Sequence, residues 1–273
     1  MASLLALSRS ASEHAKSLLK WRMAGHGGTF VVGCVALFVD SHWAVGLAIA
    51  GVVTQACAWI LRWHGRTWHG RAEEARRYAL LSDALGQTED PVGARDLRVQ
   101  MAGRVERQAV KHDDPFYYST TAALGPIRLK EILQESVFFS KHLYRKAGNR
   151  AVTFFVLEIL VLLVVTLIAL GFAKDATVGP MIARTIVLVL LFFMAIDQLG
   201  AGLEWWQAAT RARAVDSDLR MLTNPTTETL LPVFAEYSVA TAMAMPIPTG
   251  LYESNRDTLN REWTARGKSS GGA

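Results

Sequence analysis

Four polar side chains sit where polar side chains are expensive. Gln55, Glu158, Asp197 and Gln198 fall inside long apolar stretches of the chain. Charged and amide groups in such stretches face protein or water, and they mark ion paths, proton relays or interhelical hydrogen bonds. Gln55, Glu158 and Asp197 each lie six or seven residues from the end of the run that adjoins a charged segment. At about 1.5 Å per residue that is one shared depth, roughly 9–11 Å inside the run. Gln198 adjoins the same layer. Two chemistries fit the pattern. One is a water-filled cation path, above all if it is repeated around an oligomer. The other is glue between helices, with one carboxyl protonated and hydrogen-bonded to its neighbour.

A second group joins aromatic and cationic residues. Tyr117 and Tyr118 are followed by Arg128 and Lys130. Stacking on rings beside positive charge suits an anionic ligand that carries a base. The plainer alternative is that these are loop aromatics packed beneath a helical domain.

Catalytic patterns are absent. The sequence contains no Walker motif, no GxGxxG, no HExxH and no GxSxG. The seven histidines are scattered, and His64 and His69 are spaced poorly for one helical face. Cys34 and Cys57 both fall in apolar runs and read as small packing residues, with neither disulfide nor metal spacing. The expectation is a protein that is not an enzyme, with no cofactor and no metal. A nucleic-acid polymer is not an expected partner. The first residues are not expected to act as a cleavable signal peptide, because the apolar stretch up to Leu7 is too short.

The elements that position these residues follow from hydropathy. Of the 273 residues, 51% are hydrophobic, and the net charge is +5. Apolar runs cover residues 24–39, 44–61, 151–173 and 178–203. Only short polar turns divide each pair. A bilayer core about 30 Å thick takes about 20 apolar residues per helix. The third and fourth runs meet that length, and the first two form a shorter hairpin. Lys and Arg crowd residues 1–28 and 62–150, whereas the two turns hold only Lys174. The positive-inside rule then places both termini and the long middle segment in the cytoplasm.

The expected fold is an all-α membrane protein. Four transmembrane helices form two hairpins, with a helical cytoplasmic domain made from the middle and C-terminal segments. The expected divisions are an amphipathic N-terminal helix (1–23), hairpin one (24–61), a cytoplasmic segment (62–150), hairpin two (151–203) and a second cytoplasmic segment with a flexible tail (204–273). Residues 8–21 place Ala11, Ala15, Leu18 and Leu19 at helical spacing. They read as a lead-in helix on the inner membrane surface or as a plain surface helix.

Breakers predict the remaining ends. The second span continues to Leu85 and stops at Gly86. A helix capped by Asp90 with Pro91 behind it runs to Lys111. Pro126 opens another that runs to Arg145 and points at the third span. The fourth span meets no breaker until Pro225. Thr226 or Thr227 caps a helix that ends near Met245. The two prolines at 246 and 248 force an extended turn, and a last helix carries Leu251, Tyr252, Leu259 and Trp263 as its stripe.

Two stretches carry a resemblance. One is Phe116-Tyr-Tyr-Ser119 with Arg128-Leu129 and residues 133–139, just before the third run. The other is residues 246–252 (Pro-Ile-Pro-Thr-Gly-Leu-Tyr), followed by Arg256-Asp257 and Leu259-Asn260. Together with the two hairpins, the chain resembles the four-transmembrane effector family associated with bacterial nucleotide-second-messenger synthases, the SMODS-associated group. Gln134-Glu135-Ser136 matches that family's pattern, and the resemblance covers nearly the whole chain. It implies an antiphage membrane effector in the bacterial inner membrane. A cyclic nucleotide second messenger would trigger such a protein, as a homo-oligomer, to permeabilise or depolarise the bilayer. The alternative of another class is a membrane-anchored scaffold or sensor that conducts nothing.

Overall fold

The computed structural model describes residues 3–36, 41–86, 93–112, 118–172, 189 and 198–270. Asp197, Tyr117, Asp90, Pro91, Asp40, the second inter-run turn and most of the fourth run lie outside the described residues, whereas Ser41 and His42, expected in the first turn, open a helix. The described residues form eight α-helices: α1 Leu4–Ala36, α2 Ser41–Leu85, α3 Gly93–Gln100, α4 Arg104–Ala109, α5 Pro126–Phe172, α6 Gln198–Met221, α7 Thr227–Met243 and α8 Leu251–Ser270. A short 3-10 turn, Val110–His112, follows α4. No strand occurs among the described residues. The chain is all-helical, as its periodicity predicts.

Local chemistry accounts for the ends. Gly86 closes α2 with φ +63°, in the left-handed region that favours glycine, and its N–H donates to Ser82 O at 3.0 Å. The Gly125 N–H donates to Ala84 O at 2.8 Å, so the start of α5 is sewn to the end of α2. Pro126 then sits at N1, where its missing N–H costs nothing. Thr226 caps α7: its hydroxyl accepts from the Thr229 N–H, and the Thr229 side chain reciprocates in a capping box.

The single helix predicted to reach Lys111 is instead two. The chain turns at residues 101–103, where Gly103 takes φ +92°, and α4 restarts with the Arg107 N–H on Gly103 O. The predicted N-terminal helix does not end at residue 23 either, since no breaker interrupts α1 before Ala36.

The helices divide into two compact units. The first comprises Met1–Lys16, Arg66–Gly148 and Leu203–Ala273. It holds two apolar clusters. In one, Leu4, Leu7 and Ala11 of α1 meet Ala72 and Ala75 of α2, Leu97 of α3 and Val105 and Ala109 of α4. Ser8 Oγ donates to Ala72 O and Ser10 Oγ to Val105 O, each at 2.7 Å. The apolar face of residues 8–16 is therefore taken up by protein and is not left for a membrane surface. In the other cluster, Leu80 and Ala84 of α2, Leu129, Leu133 and Val137 of α5, Ala212, Val215 and Leu219 of α6, and Leu230, Phe234 and Tyr237 of α7 share one core. Spacings of three and four residues put each set on one face.

The second unit comprises Ser17–Gly65 and Asn149–Gly202, and its surface is of another kind. On α2, Trp43, Val45, Ile49, Val52, Val53, Trp59 and Ile60 are exposed, up to 73% for Trp59. On α5, Phe154, Leu157, Leu160, Leu163, Val164 and Leu167 are exposed. Among the described residues, one helix, Val45–Leu85, is long and apolar enough to cross a membrane by length and composition, with only 6% of its apolar window buried.

The turn at Gly86 is testable. A Cβ there would lie 2.7 Å from Leu124 Cδ1, and an L-residue at this φ costs about 1–2 kcal/mol besides. Gly86→Ala should lower the thermal midpoint of helix loss, followed by circular dichroism. An unchanged midpoint would mean the turn tolerates another conformation.

Candidate functional site

The polar residues predicted inside the apolar runs have different surroundings. Gln55 is in α2, and its Oε1 lies 3.1 Å from His26 Nδ1 of α1. Arg22 Nε donates to His26 Nε2 at 3.2 Å. Arg22 and His26 are both buried, so Gln55 ends a relay between α1 and α2. Glu158 of α5 has a buried carboxylate oxygen, Oε2, without a hydrogen-bond partner among the described residues. Gln198 is half-buried at the start of α6. The missed member of this set is His26, and its signal was its position four residues after Arg22 on one helical face.

The second predicted group is directed inward. Tyr118 packs against the α2–α5–α6–α7 core. Arg128 donates through Nη2 to both carboxylate oxygens of Asp83 at 3.1 Å, through Nε to Asp83 O and through Nη1 to Ala122 O. Lys130 Nζ donates to Leu222 O, just beyond the end of α6. These cations hold helix ends together, and their donors are engaged by the protein itself.

Two charged constellations were not predicted. In the first, Asp216 of α6 is only 3% exposed and receives three cations. Lys141 Nζ of α5 lies at 2.6 Å, Arg266 Nη2 of α8 at 2.6 Å, and Arg220 Nη2 of its own helix at 3.0 Å. Arg266 also lies over the rings of Phe138 and Trp263. Burial alone would raise the Asp216 carboxyl, but the Arg266 and Lys141 hydrogen bonds outweigh it and hold the group below the usual carboxylate range.

The second constellation lines the polar side of α2. Arg76 Nη2 lies 3.2 Å from Glu73 Oε2 and donates to the Tyr237 hydroxyl at 3.1 Å. That hydroxyl shares a 2.8 Å hydrogen bond with Ser140. Burial raises the Glu73 carboxyl, yet Arg76 and His69 more than reverse this and keep it low.

One turn earlier on α2, the network opens into a cavity of about 360 Å³. Arg66 and His69 of α2 form one wall. Glu204, Gln207, Ala208 and Arg211 of α6 form the next, at positions i, i+3, i+4 and i+7 of one face. Residues 240 and 242–246 close the third, where α7 gives way to the proline turn. Trp205 Nε1 donates to Met245 O at 2.9 Å and fixes that turn against α6.

His69 is 7% exposed. The carbonyls of Thr241 and Ala244 face its ring, but burial dominates and lowers its pKa, so the ring is neutral at pH 7. Neither ring nitrogen makes a hydrogen bond of ordinary geometry among the described residues, and neither does Glu204 Oε2. The sequence signal for His69 was its alignment with Arg66, Glu73 and Arg76 on one face of α2. No group of three or more His, Cys, Asp or Glu residues suited to a metal ion occurs among the described residues.

The Asp216 cluster generates a pH prediction. Its folded-state pKa is depressed, so its stabilisation is complete above the unfolded value, about 3.9, and is lost as the pH falls through the folded value. Asp216→Asn leaves three cations facing a neutral amide, which costs about 3 kcal/mol at pH 7. It should also flatten acid unfolding below about pH 4. Identical acid-unfolding curves for the two proteins would remove Asp216 from this role. No protein-family model, no curated protein and no solved structure matches this chain.

Proposed function

We infer that this chain is a multi-span membrane effector gated from its helical unit. The observation that carries the reading is the exposed apolar surface of the second unit, on α2 and α5 alike. Soluble monomers rarely expose contiguous patches larger than a few hundred Å², whereas a bilayer accepts such helices directly. α2 and α5 each continue without a break from that apolar half into the helical unit. A change in the packing of the helical unit then acts on the same two helices in the membrane.

The finer features belong to this proposal. Four spans in two hairpins, cytoplasmic termini, homo-oligomerisation, and an inner-membrane antiphage role triggered by a cyclic nucleotide all rest on the basic flanks of the runs and on the family resemblance. The protein carries out no chemistry of its own in this reading. Glu158, with a buried unpartnered oxygen inside an apolar run, is the residue that the open state would expose to ions. The Gln55–His26 bond favours the second reading, a non-conducting scaffold, because it uses a polar group as packing glue.

Membrane potential separates the two. Expression in bacterial cells together with a cyclic nucleotide synthase should collapse the signal of a potential-sensitive dye, and Glu158→Gln should change that leak several-fold. Full potential with the protein confirmed in the membrane would reject the effector. A leak that ignores Glu158→Gln would reject the role given to that residue.

A further inference from the structure

A buried polar group without a partner costs on the order of 1–3 kcal/mol, and the cavity between α2, α6 and the α7 turn collects such groups. His69 and Glu204 both line it, and both ring nitrogens of His69 and Glu204 Oε2 lack a hydrogen bond among the described residues. Two guanidinium groups stand beside them. Arg66 Nη2 is paired with Glu204 Oε1 at 2.8 Å. Arg211 Nη1 donates to Met243 Sδ at 3.4 Å, and a thioether sulfur is a weak acceptor. Apart from the Gln207 amide, the remaining surface is mostly apolar, from Ala208, Ala240, Ala244 and Pro246 among others. A volume of about 360 Å³ falls within the range of roughly 300–1,000 Å³ typical of small-molecule sites.

The lining selects among ligand classes. A metal ion would find one histidine and one carboxylate beside two guanidinium groups, too few ligands and the wrong field. A bare inorganic anion would satisfy the arginines but would meet the Glu204 carboxylate and leave His69 without a partner. A cation would be repelled by Arg66 and Arg211. A purely apolar molecule would seal His69 and Glu204 Oε2 away unpaired. What satisfies every group is a molecule of mixed character.

We propose that this cavity binds a small organic anion. Its charged group engages Arg66 and Arg211, and its uncharged head donates to Glu204 Oε2 and exchanges hydrogen bonds with His69. Neutral imidazole offers one donor and one acceptor, so the head must carry both. The three walls come from α2, α6 and the turn after α7, so an occupant ties these elements together through one side chain from α2, His69, and one carboxylate oxygen from α6, Glu204 Oε2, that otherwise lack hydrogen bonds among the described residues. The site goes beyond the effector reading and does not require the membrane half to conduct.

The test uses the full chain in lipid nanodiscs, with calorimetric titration and thermal shift. Three probes separate the sources of the chemistry: adenosine 5′-monophosphate supplies a phosphate with a heteroaromatic head, orotate a carboxylate with such a head, and inorganic phosphate the charge alone. At least one organic probe should bind with Kd in the range of about 10 µM to 1 mM, and inorganic phosphate at least about tenfold more weakly. Arg211→Ala, at an exposed position, should weaken the organic probe about tenfold.

His69→Leu should abolish binding while leaving the thermal midpoint equal or higher, because it replaces an unpaired buried polar group by an apolar one. Absence of binding by both organic probes overturns the proposal. So does inorganic phosphate binding as tightly as they do, or a titration unchanged by Arg211→Ala. Binding is read on the isolated protein, so its failure leaves the depolarisation experiment standing on its own.

Discussion

A helix satisfies its backbone within itself, and only its side chains have to match the medium around it. α2 and α5 exploit that over 45 and 47 residues, lengths of about 70 Å at 1.5 Å per residue. That is more than twice the thickness of a bilayer core of about 30 Å. One half of each helix has an apolar surface that is largely exposed, and the other half contributes Ala72, Ala75 and Leu80, or Leu129, Leu133 and Val137, to well-packed cores. Gly65 and Gly148 sit at the changeovers, yet neither ends its helix. The remaining helices are arranged around that continuity, since every other element of the helical unit packs on one of these two or on α6.

Within the helical unit, burial of charge is tolerated where partners converge. Asp216 joins α5, α6 and α8 through one carboxylate. Arg76 joins α2 to α7 through Tyr237. Each arrangement offsets a desolvation cost of several kcal/mol per ion by gathering more than one opposite or hydrogen-bonding group. His69 sits two turns from Arg76 on the same helix, and neither of its ring nitrogens makes a hydrogen bond of ordinary geometry among the described residues. The contrast between neighbours in one environment is what separates a structural polar cluster from a binding wall.

The legible part of the fold was the part set by local chemistry. Gly86, Pro126 and Thr226 act through their own backbone or the next turn, so their consequences are visible in a few residues of sequence. α5 runs from Pro126 into the third run through Gly148 and Asn149, residues that weaken a helix without having to end it. The break between α3 and α4 was missed because a lone glycine costs a helix only about 1 kcal/mol, and nothing beside Gly103 in the sequence announces its positive φ. Arg128 and Lys130 look like ligand-binding cations, but their acceptors, Asp83 and the Leu222 carbonyl, are 45 and 92 residues away in sequence. His69 was unreadable as a buried group because the turn that covers it lies in the segment 240–246. Only its register with Arg66, Glu73 and Arg76 pointed to it.

The make-up of the helical unit has a consequence for how the protein is made. Its three segments, Met1–Lys16, Arg66–Gly148 and Leu203–Ala273, are separated by the residues of the apolar unit. The first segment leaves the ribosome with its partners on α2, α3 and α4 still unmade. Asp216 cannot meet Arg266 until the final helix has been synthesised. Contacts of such long range form late, and domains of this size assemble as units. In the proposed membrane reading, the apolar stretches would enter the bilayer before the helical unit is complete, and a chain halted anywhere before α8 would display apolar helices without the assembly that holds them in order.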